Sequence, residues 1–482
     1  MPSSKCLRMC VCALLLWAAH ASAQTYTVLT SLGSVAPPSG AGNQVWFLVQ
    51  GFDGNFYGTT EGGGGTCANN PFATCGVAYK VTPTGTLTVL HEFCQNACTD
   101  GGVPYSGLIL SPSGNFYGTN TQDLVNHGGT LYEMTPTGTV TPVHSFSLAN
   151  AEGTPYGPVT LIPSGFYGIS GTGGPDGDGM IYEVTSSGTL TTLDTFDGTN
   201  GFEIPYAGVS LLQLPTGNLL GVTAYGTQST NGCGSIFQMT PKGALTTVYG
   251  FSNTSTFGCG PTGLVEGPKG NFYGTATGGG TANDGVVFQL TQNGTVTVLH
   301  SFCSESNCAD GSNPATGLLL GTDGNLYGTT LFGGTNGQGV IYQITPGGAY
   351  QVLYNFCSQS GCADGGNSYG SLIQGTDGNF YGATSTGGGS GNGGTVFKLS
   401  MGLAPFVQTM PPYGKLSSRV AILGNELSGT TSVTFNGVAA QFKVESASLI
   451  VATVPSGATT GTVRVETPNG TLVSNIAFRV RP

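Results

Sequence analysis

The chain has 482 residues, 83 of them glycine; 38% are hydrophobic, 10% aromatic and only 7% charged, with a formal net charge of −11. Its apolar content is too high for a disordered tail, its glycines follow no three-residue period, and no alanine-, leucine- and glutamate-rich stretch is present to build a helical bundle. What remains is an all-β chain with many tight turns, long enough for two domains.

The first residues have the form of a secretory signal. Lys5 and Arg8 supply a basic start, residues 11–19 an apolar core too short to span a bilayer, and Ala21-Ser22-Ala23 a small-residue cleavage site before Gln24. Residues 1–23 are expected to be removed after Ala23, giving a secreted or cell-surface protein with no transmembrane segment in the mature chain. Three of the 13 cysteines leave with this segment, and the remaining ten form an even set: Cys67/Cys75, Cys94/Cys98, Cys233/Cys259, Cys303/Cys308 and Cys357/Cys362. An even count in an exported chain implies disulfides. The rival is a metal, because Cys-x4-Cys can resemble half a zinc site. Against it, each pair stands in its own repeat with no obvious second pair nearby.

From residue 24 to 402 there are 20 acidic residues against Lys80, Lys242, Lys269 and Lys398, with no arginine, a balance of −16; from 403 onward the balance is +3. An arginine-free acidic body repels nucleic acid and anionic lipid, so neither is an expected partner.

One unit recurs along this body. Gly-Asn-Phe-Tyr-Gly stands at 54–58, 114–118, 270–274 and 378–382, with variants at 164–168, 217–221 and 324–328. The fourth position falls at Tyr57, Tyr117, Tyr167, Leu220, Tyr273, Tyr327 and Tyr381, with spacings of 60, 50, 53, 53, 54 and 54. Each unit holds four strand-like runs; in the fifth these are residues 263–266, 271–276, 286–291 and 295–302. Asp-Gly, Ser-Gly, Asn-Gly and Thr-Gly dipeptides supply the positive φ that tight hairpins demand. Four antiparallel strands in a period near 54 are the pattern of a β-propeller blade. The last unit stops at its third strand, residues 396–400. The run Tyr26-Thr27-Val28-Leu29-Thr30-Ser31-Leu32 resembles the missing fourth. A seven-bladed propeller over residues 24–402, closed by the mature N-terminal strand, is therefore expected.

The GNFYGTT run, the glycine-rich loop, a strand such as GVVFQLT and the VLHSF ending together resemble the Gloeo/Verruco (GloVer) tandem repeat of bacterial exported proteins. That resemblance implies a surface or secreted protein and no general activity. Residues 403–482 resemble the IPT/TIG immunoglobulin-like domain through Gly424-Asn425, Val433-Thr434-Phe435-Asn436-Gly437 and Val454-Pro455. Short alternating strands between Gly and Pro turns independently suggest a small sandwich. Such domains usually serve as spacers or contact modules.

Links between strands one and two, and three and four, are minimal turns. The other connections are long, carry the cysteines and share the opposite face, where any ligand is expected. There Tyr105, Tyr156, Tyr206 and Tyr369 precede the innermost strand and would line the channel mouth, stacking on sugar rings; packing between blades is the bland alternative. Asp100, Asp310 and Asp364 follow the cysteine loops and would bind calcium or a sugar, or else cap turns. Asp176 and Asp178 would offer two calcium ligands, but a complete EF-type sequence is lacking. His91, His144 and His300 share one register position with Asp194, Tyr249 and Tyr354, which points to a structural role. No Ser–His–Asp set is present, no catalytic residue is assigned and no cofactor beyond that calcium is implied. The leading expectation is a binding protein for an extracellular glycan or a surface protein. The alternatives are an enzyme acting on extracellular polysaccharide or a lactone, and a structural envelope component.

Overall fold

The computed structural model describes residues 24–481 apart from 36–43, 65, 68–69, 95–97, 123–126, 198–210, 224, 226–231, 253–256 and 390. The expected signal segment and Tyr206 lie outside the described residues, as does the side chain of Cys67. Among the described residues there is no α-helix, and none is long and apolar enough to cross a membrane.

Residues 25–400 hold seven sheets of four or five strands, besides a two-stranded hairpin, among the described residues. Five are built from consecutive strands, and a sixth, in the first unit, is interrupted only by that hairpin. The fifth, for example, runs Cys259–Glu266, Phe272–Gly278, Val286–Leu290 and Val296–Ser301. The seventh combines Ile373–Gln374, Phe380–Ala383 and Thr395–Ser400 with the N-terminal strand Thr25–Ser31, which pairs antiparallel to Thr395–Ser400. In the other six sheets, the third and fourth strands share a register shift, as at Ala78/Tyr79 and Val287/Phe288. The N-terminal strand carries the corresponding shift, between Val28 and Thr30. It fills the fourth-strand place down to its irregularity.

Side-chain chemistry explains the repeated motif. In units one, six and seven, the turn aspartates Asp53, Asp323 and Asp377 accept hydrogen bonds from the motif asparagine and from the motif tyrosine hydroxyl, at 2.6–2.8 Å. The motif tyrosine also packs at a tilt against the motif phenylalanine of the next unit: Tyr57 on Phe116 at 4.2 Å, Tyr117 on Phe166 at 4.5 Å, Tyr327 on Phe380 at 4.1 Å. The same pair joins the seventh unit to the first, with Tyr381 and Phe56 at 3.9 Å. The final motif glycine leaves room for an aromatic ring of the third strand. A Cβ on Gly58 would stand 2.6 Å from the Tyr79 hydroxyl, and one on Gly274 2.6 Å from the Phe288 ring.

At that third-strand place the hydroxyls of Tyr79, Tyr132 and Tyr342 are buried with no hydrogen-bond partner among the described residues. Other units have Phe237, Phe288 and Phe397 there. Because an orphaned buried hydroxyl costs about 1–3 kcal/mol, Tyr132→Phe is expected to leave stability unchanged or raise it by about 1 kcal/mol. Gly328→Ala, which forces a methyl into Tyr342, is expected to lose about 1–3 kcal/mol. Urea denaturation of both variants checks this; a loss above about 1 kcal/mol for Tyr132→Phe would contradict it.

Beyond residue 402 lie two four-stranded sheets. One contains Gln408–Met410, Arg419–Leu423, Leu449–Thr453 and Phe442–Val444; the other Val438–Ala439, Ser432–Phe435, Val463–Thr467 and Gly470–Val473. They enclose a core that includes Ile422, Phe435, Ile450, Val465 and Phe478. Tyr413–Lys415 and Arg479–Arg481 pair in parallel beside it. This unit sits on the hairpin-turn end of the repeat body. Ser448 Oγ donates to the Phe52 carbonyl at 2.7 Å, the Phe406 amide to that of Thr376 at 3.0 Å, and Arg479 meets Glu266 at 3.4 Å.

Candidate functional site

The two ends of the repeat body differ in chemistry. At the loop end, the histidine register and the aspartate register turn out to be partners. His91 lies 2.7 Å from Asp100, His144 3.2 Å from Glu152 and His300 3.2 Å from Asp310; the Tyr354 hydroxyl donates to Asp364 at 2.6 Å. The carboxylates also cap the loops that follow the fourth strands. Asp310 accepts from the amides of Ser304 and Glu305, and Asp364 from those of Ser358 and Gln359. Burial alone would raise the Asp364 pKa, yet hydrogen bonds from Tyr354, Ser358 and Gln359 hold it below the usual value. Burial lowers that of His300, against the opposing pull of Asp310. Asp310 and Asp364 are almost wholly buried, and their side chains face inward and cap the loop backbone, the second of the two roles weighed for them from the sequence.

Aromatic rings tie these capped loops to the adjacent unit. Tyr350 stacks on His300 at 3.8 Å and donates to the Asp310 carbonyl at 2.6 Å; Tyr26 does the same with Tyr354 and Asp364. Disulfides join Cys94 to Cys98, Cys233 to Cys259, Cys303 to Cys308 and Cys357 to Cys362. Cys75 is also disulfide-bonded, and its sulfur lies within 4.8 Å of those of Cys94 and Cys98. Cys75, Cys94 and Cys98 are therefore gathered into one buried group.

Inside this rim runs an aromatic arc. Trp46 is fully buried and donates through Nε1 to the Pro104 carbonyl at 2.7 Å; its ring lies 4.9 Å from Tyr105, which meets Tyr156 edge-on at 5.1 Å. Tyr105, Tyr156 and Tyr369 are half-buried. The structure thus brings Tyr105 and Tyr156 together. Tyr369 comes from the seventh unit, whose next residue Gly370 lies close to Trp46: a Cβ there would stand 3.0 Å from the Trp46 backbone. Glu61 joins them. Its Oε2 is buried with no hydrogen-bond partner among the described residues, and burial pushes its carboxyl up to about 7, opposed by the Gln44 amide. Burial and the nearby Glu61 charge both raise the Tyr369 pKa. Sequence reasoning missed Glu61. The available signal was register: Thr277, Leu331 and Ser385 stand in its place after Tyr-Gly in other units.

The opposite end holds a cavity of about 520 Å³ lined by residues of all seven units, among them Phe47, Leu110, Val159, Leu264, Leu318 and Leu372. Residues 410–413, Arg479 and Arg481 of the C-terminal unit line it as well. None of the sequence-predicted site residues among the described ones does.

A family model described as the Gloeobacter/Verrucomicrobia repeat matches residues 16–228 and 205–441. No curated protein matches. A fungal alcohol oxidase solved with copper is 14% identical over 95% of this chain and 99% of its own, with a TM-score of 0.51. A protein of unknown function from Bacteroides thetaiotaomicron is 12% identical over 78% of this chain and 76% of its own (TM-score 0.43). A gluconolactonase from Xanthomonas campestris is 9% identical over 79% of this chain and 90% of its own (TM-score 0.36). At 14% identity the likeness to the alcohol oxidase is one of fold alone.

Proposed function

The chain belongs to the Gloeobacter/Verrucomicrobia repeat family, and from that premise we propose that it is an exported binding protein that recognises an extracellular glycan at its loop end. In this reading residues 1–23 are a signal peptide cleaved after Ala23, residues 24–402 a seven-bladed propeller, and residues 403–482 an IPT/TIG immunoglobulin-like domain. Ring closure is supported by the Tyr381–Phe56 stack, which repeats the contact between consecutive units, and by the N-terminal strand in the seventh sheet. Closure of this kind leaves fewer sheet edges open to pairing.

The aromatic arc carries the binding reading. Half-buried tyrosine rings present flat apolar faces, which suit the C–H faces of pyranose rings, while a carboxyl beside them accepts from hydroxyls. Tyr225, Phe257 and Phe332, among the most exposed large hydrophobic residues, lie on loops of the same end and would widen the contact. The expected result is retention of the chain from Gln24 on one or more immobilised polysaccharides, lost at least tenfold in the combined variant Tyr105→Ala, Tyr156→Ala, Tyr369→Ala. Unchanged retention in that variant would remove the arc as the site. Retention by a surface protein but by no polysaccharide would replace the glycan as ligand.

Glu61 is the one observation that favours the enzyme alternative. A carboxyl that titrates near 7 is matched to proton transfer at neutral pH. Sugar released from the same panel, and abolished by Glu61→Gln, would turn the reading toward an enzyme acting on polysaccharide or a lactone.

A further inference from the structure

The cavity at the hairpin end is unlike the loop-end arc. Its wall is mainly aliphatic, with at least one residue from every unit. Its size falls within the roughly 300–1,000 Å³ typical of small-molecule sites. The polar residues on its wall are few: Thr160, Gln213, Ser371, Tyr413 and two arginines. Neutral sugars would therefore find few partners there.

Both cations are supplied from outside the repeats. The body from 24 to 402 has no arginine, and none of its four lysines lines the cavity. Arg479 meets Glu266 at 3.4 Å, so its charge is already matched. Arg481 is different. Its guanidinium lies 3.4 Å above the centre of the Tyr413 ring, and no carboxylate comes within 4 Å of it among the described residues. Stacking fixes the plane of the guanidinium while leaving its N–H edge available, the arrangement that receives a carboxylate with two parallel hydrogen bonds. Arg481 also borders an outer depression formed with Lys415, Leu416 and Val480. The head of a ligand would then sit at a wet rim, which spares it the full desolvation cost, while its tail enters the apolar space.

We propose that this cavity binds a monocarboxylate bearing an apolar chain of medium length, with Arg481 holding the carboxylate and the aliphatic wall from Leu110 round to Leu372 enclosing the chain. A polyanion is disfavoured because the surrounding body carries a net −16; a single charge neutralised by Arg481 is not.

Isothermal titration of the chain from Gln24 with decanoate, below its micelle concentration, tests this directly, with 1-decanol and acetate as tail-only and head-only controls. Saturable 1:1 binding of decanoate is expected, at least tenfold tighter than 1-decanol and with no detectable binding of acetate. Arg481→Gln should bring decanoate down to the level of 1-decanol without changing the retention of polysaccharide at the loop end. Leu318→Trp, which fills the cavity, should remove both. The proposal fails if the unaltered protein binds decanoate and 1-decanol equally, if Arg481→Gln leaves the preference intact, or if decanoate does not saturate. The measurement on the unaltered protein decides the matter even where a variant does not fold.

Discussion

A chain that begins at Ser34 instead of Gln24 is expected to lose its cooperative unfolding transition or to unfold at least 15 °C lower. Removing the N-terminal strand deletes the whole fourth-strand ladder of the seventh sheet, from Thr25↔Ser400 to Ser31↔Thr395. It also takes away Leu32, which is fully buried beside Val45, Phe56 and Val396. Burial of one such side chain is worth about 1.5–3 kcal/mol. The Tyr26 ring, stacked between Tyr354 and Phe397, is lost with it, as is its hydrogen bond to the Asp364 carbonyl. Together these losses are on the order of 5 kcal/mol or more, comparable with the entire stability of many domains. The strand Thr395–Ser400 would also be left as an open edge and a template for self-association. Thermal unfolding followed by circular dichroism measures the effect, and a synthetic peptide of residues 24–33 added in trans should recover part of it. A truncated chain with an unchanged melting temperature would show that the strand is dispensable.

Glu61→Gln is expected to be neutral near pH 4.5 and stabilising by up to about 3 kcal/mol at pH 8. The folded protein raises this carboxyl from 4.5 to about 7, through burial that outweighs the Gln44 amide. Between those two values the folded state keeps a proton that the unfolded chain has released. Stability conferred by the protonated carboxyl is therefore lost as pH rises through the window, and the loss levels off above about 7. Glutamine carries no such charge and removes that part of the slope. Urea denaturation of both proteins across pH 4.5 to 8 gives the difference curve; a difference that does not change with pH would show that Glu61 ionises freely in the fold.

The repeats were legible because seven copies of one motif fix both the period and the strand order. The N-terminal strand was legible because Tyr26-Thr27-Val28-Leu29 reads as the missing end of a unit. Four cysteine pairings were equally open to sequence reasoning, three because their loops are short and Cys233–Cys259 as the pair left over. Glu61 escaped because its importance lies in an unpartnered oxygen, and partners at long range are invisible in a run of letters. Asp310 and Asp364 were weighed as ligands or caps, and only their burial beneath loop amides separates the two. Arg479 and Arg481 entered the sequence reading only through the +3 balance from residue 403 onward. Their meeting with Leu110, Leu264 and Leu372 depends on how the C-terminal unit sits upon the hairpin turns, which no local pattern encodes.

The N-terminal strand also dictates the order in which the molecule can be completed. It is made before any repeat, yet its partner strand is made after every repeat, roughly 370 residues later. Closing a loop of that length costs about 5 kcal/mol of chain entropy by simple scaling, more than a single pair of strands recovers alone. The last sheet therefore cannot form until the preceding six have drawn the two ends together. A growing or threading chain stays unlatched at its leading end throughout synthesis, and the final pairing locks the molecule only once all seven units exist.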